Sequence, residues 1–263
     1  MKVLVPVTDA ATVDDEFAVD GLEIDERYLT YEINEWDDYA VEEAVQVAES
    51  GDDIEVVVVT VGPERVEETV REALAKGADR AVRVWDDALA DRDLLDARTK
   101  ATLVEAVARE ESPDLVLTGV QSGDAGFAAT GVTLAERLDY EWAAVVNDMD
   151  LDRDAGLATV HRELEGGVEE VTEVELPAVL TIQTGINDPR YASLRGIRQA
   201  QNKPLDVTTT DELGIDETAL DSPLTWTATR VPESEGEPTL FEGDPETAAG
   251  ELAGVLRERG VGQ

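Results

Sequence analysis

The run Gly119-Val-Gln-Ser-Gly-Asp-Ala-Gly-Phe-Ala-Ala-Thr-Gly131 is the strongest candidate for chemistry in this sequence. Its glycines at 119, 123 and 126 let backbone amides approach a ligand, and a helix starting there turns the positive end of its dipole toward a phosphate. A turn that merely feeds a helix uses the same residues. Neither common phosphate-loop signature is present. Gly126 and Gly131 have the Walker spacing, but Val132-Thr133 follow instead of Lys-Ser/Thr, and no G-x-G-x-x-G occurs. Asp150-x-Asp152-x-Asp154 opens like a calcium loop, yet Ala155 and His161 stand where such a loop needs Gly and Glu. An acidic connection between strands is the better reading. His161 is the single histidine and cysteine is absent, so Ser-His-Asp and Cys-His arrangements, disulfides and thiolate metal sites find no support. Carboxylate pairs are too abundant to be informative. The chemistry is that of a binder or carrier.

A second stretch, Leu176 to Leu205, differs from the rest in charge. The chain carries 61 Asp+Glu against 21 Lys+Arg, a formal net charge of −40. This stretch holds Arg190, Arg195, Arg198 and Lys203 against a single acid, Asp188. A basic, partly apolar loop on an acidic body is a candidate docking surface. The same charge argues against nucleic-acid binding, which needs a basic face. The acid excess is dispersed on a chain with clear apolar periodicity. It reads as a solvated surface suited to high salt, and a halophilic source is expected.

Elements must position these two stretches. Val3–Val7, Ile54–Val61, Ala81–Trp85 and Asp114–Thr118 are short apolar runs of the kind buried on both faces of a parallel sheet. Helical spacing separates them, over Asp38–Ser50 with Asp37 or Asp38 as cap, Glu64–Lys76, Leu94–Arg109 and Phe127–Leu138. Alternating strands and helices predict a parallel α/β sheet. Ala143–Met149, Leu157–Glu163, Val168–Glu175 and Leu176–Ile182 read as further strands, the second and third joined as a hairpin through Glu165-Gly166-Gly167. Thr8–Leu29 reads as irregular. From Asp206 to about Gly243 there is no sustained period, and Pro223, Pro232, Pro238 and Pro245 lie in or just beyond it, so an extended arm is expected. A last helix spans Pro245–Arg259. The domains are therefore 1–205, with a recognition loop at 184–203, and 206–263, an arm and helix expected to pack on a partner chain. Ligands of parallel sheets bind at the carboxyl ends of strands, here Pro6–Thr8, Val61–Gly62 and Gly119–Gly131. Hydrophobic residues make up 42%, enough for a core, and no run nears the ~20 apolar residues of a membrane helix. A cytoplasmic protein without membrane insertion is expected.

The second stretch resembles the beta subunit of electron transfer flavoproteins. That family's signature has the form LPAVVT, then N-[DE]-PRYA-[ST]-L, then I-x-x-A. This chain reads Leu176-Pro-Ala-Val-Leu-Thr181, Asn187-Asp-Pro-Arg-Tyr-Ala-Ser-Leu194 and Ile197-Arg-Gln-Ala200. Asn34 to Ala44, Gly62-Pro63, Ala73 to Arg80, and Asp114 to Gly119 with Gln121 and Thr130-Gly131 resemble further family blocks. The resemblance covers roughly residues 1–205.

It implies an adenine-nucleotide-hydrolase-like α/β fold and a heterodimer with an alpha subunit that holds most of a redox FAD. Electrons would come from acyl-CoA-type dehydrogenases of fatty-acid or amino-acid oxidation and go to a membrane quinone oxidoreductase. A second nucleotide, AMP or in bifurcating members a second FAD, would be cradled by Pro6, Asn34, Glu35, Trp36, Asp37, Val61, Val120, Gln121, Ser122, Gly123, Asp124, Ala125, Gly126, Phe127, Ala128, Ala129, Thr130 and Gly131. Trp36 would stand near the redox flavin. Tyr191, Ala192, Ser193, Leu194, Arg195, Gly196 and Ile197 would dock partners, with Leu194 the apolar anchor. Two departures stand out. Glu35 replaces the family's proline after the Asn, and Asp124 to Gly131 is poorer in acid and amide side chains than the family loop. A free-standing adenine-nucleotide-binding regulator of the same layout is a further alternative.

Overall fold

A computed structural model describes residues 1–232, 239–241 and 243–260. The chain divides into two units, Met1–Thr229 and Arg230–Gln263. In chain order the first unit contains β1 (Lys2–Pro6), β2 (Asp9–Val13), β3 (Val19–Asp20), β4 (Glu23–Ile24), β5 (Leu29–Ile33), α1 (Glu35–Glu49), β6 (Glu55–Val61), α2 (Glu67–Lys76), β7 (Arg80–Val84), α3 (Asp87–Ala90), α4 (Ala97–Glu111), β8 (Leu115–Gly119), α5 (Thr130–Leu138), β9 (Glu141–Asp152), β10 (Leu157–Leu164), β11 (Val168–Glu175), β12 (Ala178–Ile182), α6 (Leu194–Ala200) and β13 (Leu205–Thr208). The second unit holds α7 (Pro245–Glu258).

One nine-stranded sheet organises the first unit, in the order β11-β10-β9-β12-β8-β1-β6-β7-β13. From β9 to β13 every pairing is parallel, and β10 and β11 add an antiparallel edge. The apolar runs form these strands because both faces are covered. Val3 and Val5 pack into a core beneath α1 and α2, and Leu4 between them packs into a second core with Leu103, Val107 and Leu134 of α4 and α5. The chain leaves β1 toward β6 and β7, then returns to β8 on β1's other side. The strand order therefore reverses between β1 and β8, and such a point opens a crevice at the carboxyl ends of the strands.

Several expectations are corrected. Thr8–Leu29 is not irregular throughout. β2 pairs antiparallel with β5 and β3 with β4, in ribbons too short and acid-interrupted to show a period. The third and fourth helices begin later than expected: Asp96 caps α4 by accepting from Thr99 N–H (2.8 Å), and α5 starts at Thr130, not Phe127. Neither Asp37 nor Asp38 caps α1. Asn34 occupies the cap position, and both acids lie inside the helix. The stretch after residue 205 is not all arm. β13 pairs with β7, Leu220 is fully buried in the second core, and the first unit runs on to Thr229. β13 escapes a period-based reading because it is a four-residue edge strand with no buried position.

In the second unit, Asp244 caps α7 by accepting from Glu246 N–H (3.1 Å) and Thr247 N–H (3.0 Å), with Pro245 opening the helix. No residue of α7 is buried, and Leu252 and Leu256 stay exposed. Pro238 and the other residues of the expected arm at 233–237, 242 and 261–263 lie outside the described residues. Among the described residues no helix is long and apolar enough to cross a membrane.

Candidate functional site

The crevice between β1 and β8 is a cleft with about 670 Å³ of empty space, counted out to its open mouth. Pro6, Val59, Val61, Val104 and Phe127 give it apolar wall, and Thr8, Asn34, Asp37, Lys100, Thr118, Gln121 and Ser122 bring polar groups.

Two residues at the start of α1 bind the cleft's parts together. Asn34 Nδ2 donates to Gln121 O (2.8 Å), and its Oδ1 accepts from Gly123 N–H (3.2 Å). The side chain thus leaves its own helix uncapped and holds the glycine loop. Asp37 Oδ2 accepts from Thr8 N–H (2.9 Å) and Oδ1 from Gly119 N–H (3.1 Å), joining the ends of β1 and β8. Both side chains are buried. Gly119 permits the approach: a Cβ there would overlap the Asp37 carboxylate.

Burial dominates the titration of Asp37. It lifts the carboxyl from 3.8 to about 7, against the lowering effect of hydrogen bonds from Thr8, Asn34 and Gly119 and the charge of Lys100. Between these values the folded chain keeps a proton that the unfolded chain releases. The contribution to stability is full below pH 3.8 and is lost as pH rises through about 7. Asp37→Asn should therefore flatten the fall in melting temperature across that interval, compared with wild type in the same molar salt. Parallel curves for the two proteins would rule out Asp37 as the titrating group.

The structure brings eleven of the expected cradle residues to the cleft: Pro6, Asn34, Asp37, Val61, Val120, Gln121, Ser122, Phe127, Ala128, Ala129 and Thr130. The others stand elsewhere. Gly123 to Gly126 form the outer turn of the loop, where Gly126 N–H donates to Ser122 O (3.1 Å). Glu35 is exposed on α1. Trp36 donates from Nε1 to Gln183 Oε1 (3.0 Å), just past the end of β12. Gly131 is buried against Thr118 and Thr181. Thr8 and Gly119, at strand ends already singled out, also line the cleft, together with Val7. Sequence reasoning missed Val59, Lys100, Val104 and Thr118. The one available signal was Lys100 with Val104 four residues on, a cation and an apolar residue on one helix face.

The recognition loop is fastened at both ends. At its start Asn187 Nδ2 donates to Tyr39 O (3.1 Å) and Glu43 Oε2 (3.0 Å), and Arg190 pairs with Glu42 (2.8 Å) and Glu49 (2.6 Å) of α1. At its end Lys203 Nζ donates to Leu74 O (2.9 Å) and Ala78 O (2.5 Å), and Arg71 Nη1 donates to Ala200 O (2.7 Å) and Lys203 O (2.8 Å). The expectation that the basic residues serve as one docking set is corrected: Arg190 and Lys203 are consumed inside the fold. Arg195 and Arg198 remain exposed. Between the fastenings Ser193 Oγ accepts from Gly196 N–H (3.0 Å) and starts α6, Gly196 sits against the α2 backbone, and Ala192 is half-buried. Tyr191 (98% exposed), Leu194 (77%) and Ile197 (45%) face solvent.

These features define an α/β protein with a ligand cleft at its strand-order reversal and an exposed apolar tip on a fastened loop. The electron transfer flavoprotein domain family matches residues 21–213. The electron transfer flavoprotein subunit beta of Methylophilus methylotrophus is 43% identical over 98% of each chain, and that of Bacillus subtilis 30% over 98% of each. The caffeyl-CoA reductase-Etf complex subunit CarD of Acetobacterium woodii is 34% identical over 87% of each. The chain belongs to the electron transfer flavoprotein family, as a beta subunit, and its role lies in electron transfer within a flavoprotein complex.

Proposed function

We propose that this chain pairs with an alpha subunit to carry electrons from acyl-CoA-type dehydrogenases of fatty-acid or amino-acid oxidation to a membrane quinone oxidoreductase. It works in the cytoplasm of a salt-adapted organism. The redox FAD is held mostly by the alpha subunit and supplies the one- and two-electron chemistry. This chain positions it, with Trp36 near the ring, and AMP occupies the cleft between β1 and β8. The exposed faces of α7 support packing of that helix on the alpha subunit.

The observation that carries the carrier reading is the tip. Tyr191, Leu194 and Ile197 expose apolar surface on a loop whose two ends are hydrogen-bonded to α1 and α2. A rigid apolar anchor suits a small, short-lived contact that must release after each transfer. In molar salt the steering by Arg195 and Arg198 is screened, leaving Leu194 as the main determinant. Leu194→Ala should leave the flavin spectrum unchanged and slow reduction by the dehydrogenase several-fold. An unchanged rate in stopped-flow reduction would remove the anchor role.

The similarity to a subunit of a caffeyl-CoA reductase complex favours a second reading, in which a second FAD fills the cleft and electrons bifurcate. Counting cofactors in the purified heterodimer tests both. One FAD and one AMP support the carrier, and two FAD support bifurcation. A nucleotide-bound homodimer without flavin overturns both in favour of a free-standing regulator.

A further inference from the structure

Among the described residues, three groups in the cleft wall have no partner. α5 begins with Ala129 at its cap position, so no side chain satisfies its first amides. Thr118 is 4% exposed, and its Oγ1 has no hydrogen-bond partner among the described residues. That hydroxyl lies against Gly131, in the first turn of the same helix. Lys100, from the first turn of α4, lines the cleft half-buried, and α4 packs beside α5.

The state of Lys100 is unusual for this chain. The sequence has only four lysines among its 61 acids. Lys2 pairs with Glu111 (2.7 Å) and Lys76 with Asp38 (2.5 Å), while Lys203 donates to backbone carbonyls. The Lys100 ammonium makes no ion pair and no hydrogen bond among the described residues, although Asp37 and Asp124 both feel its charge. Those two carboxylates are already taken up by backbone amides, Asp37 by Thr8 and Gly119, Asp124 by Ala125 (2.6 Å). A half-buried ammonium, an orphaned hydroxyl and an uncapped helix start in one wall call for the same missing species, an anion with several acceptor oxygens.

We propose that Lys100 is the counter-charge for the phosphate of a nucleoside monophosphate in this cleft, with Thr118 Oγ1 and the first amides of α5 completing the phosphate site. The inference rests on the reading of the cleft as a nucleotide site and assigns its specificity. Lys100 selects the monophosphate over the nucleoside, because without it a dianion would enter near the charged Asp124, on a strongly acidic protein, with no cleft-lining cation to offset it.

Calorimetric titration of the nucleotide-stripped heterodimer with AMP, adenosine and inorganic phosphate, at one fixed salt concentration, tests this. Lys100→Met should weaken AMP by about 10- to 100-fold, the usual effect of losing a charge-assisted hydrogen bond, and leave adenosine unchanged. Lys100→Arg should restore most of the AMP affinity. Unaltered AMP binding in Lys100→Met would overturn the assignment while leaving the nucleotide reading intact. So would equal losses for AMP and adenosine, which would make Lys100 a structural residue. Wild-type protein that binds neither AMP nor adenosine overturns both readings. Phosphate binding alone, abolished in Lys100→Met, would replace the mononucleotide by free phosphate.

Discussion

Arg190→Met is expected to cost about 3 kcal/mol of folding stability, measured by denaturant unfolding in molar salt. That is the low end of the range for orphaning a buried ion, because a third of the Arg190 side chain stays in water. The loss comes from Glu42, whose side chain is only 4% exposed and accepts from Arg190 Nε (2.8 Å), Nη2 (3.0 Å) and its backbone N–H (3.1 Å). Glu49, at 61% exposed, adds little. Burial pushes Glu42 up, but the hydrogen bonds and charge of Arg190, helped by Gln46, more than reverse this and leave the carboxyl below its ordinary 4.5. Its stabilisation is therefore present above pH 4.5 and is lost as pH falls through the lowered value. The defect of Arg190→Met should accordingly be largest near neutrality and shrink in acid. Adding Glu42→Gln should recover part of the loss, since removing both ions costs less than stranding one. A neutral-pH loss below about 1 kcal/mol would reduce the pair to an ordinary surface contact.

Arg190 also marks where sequence reading stops. Its charge was visible, and so was the contrast with the acidic body. Its partners were not, because they lie on α1, some 148 residues away along the chain for Glu42. Docking and internal pairing look identical in a charge count. The parallel strands were legible because Val56 to Val59 are buried on both faces and so read as an unbroken apolar run. β13 was not, because an edge strand is only half covered. The cleft was legible at its strand ends and glycine loop, where local composition carries the signal. Lys100 and Thr118 were not, because only the reversal of strand order and the packing of α4 beside α5 bring them to that loop. Asp37 looked like a cap because acids near helix starts usually are. Its bond to Gly119, 82 residues away, shows that it joins strands instead.

The glycines around the cleft supply the other large expected effect, and they separate backbone from side-chain constraint. A Cβ at Gly119 would overlap the Asp37 carboxylate, lie 2.7 Å from Trp36 Cβ and lie 2.9 Å from the Trp36 carbonyl carbon. That carbonyl belongs to the first turn of α1 and cannot rotate away, so the helix start must move as a body. Gly119→Ala should cost about 1–3 kcal/mol from overpacking alone. Displacing the Asp37 carboxyl from the Gly119 N–H should add about 0.5–1.5 kcal/mol below pH 7, where that carboxyl keeps its proton. At Gly131 the same Cβ would meet only side chains, Thr118 Oγ1 and Thr181 Cγ2, which can shift. Gly131→Ala should therefore be milder. At Gly123 nothing lies within 4 Å, and Gly123→Ala should stay within about 0.5 kcal/mol of wild type. Denaturant unfolding of the three variants should rank them in that order. If Gly131→Ala proved the worst, the approach of α5 to β8, not that of α1, would be what holds the cleft in shape.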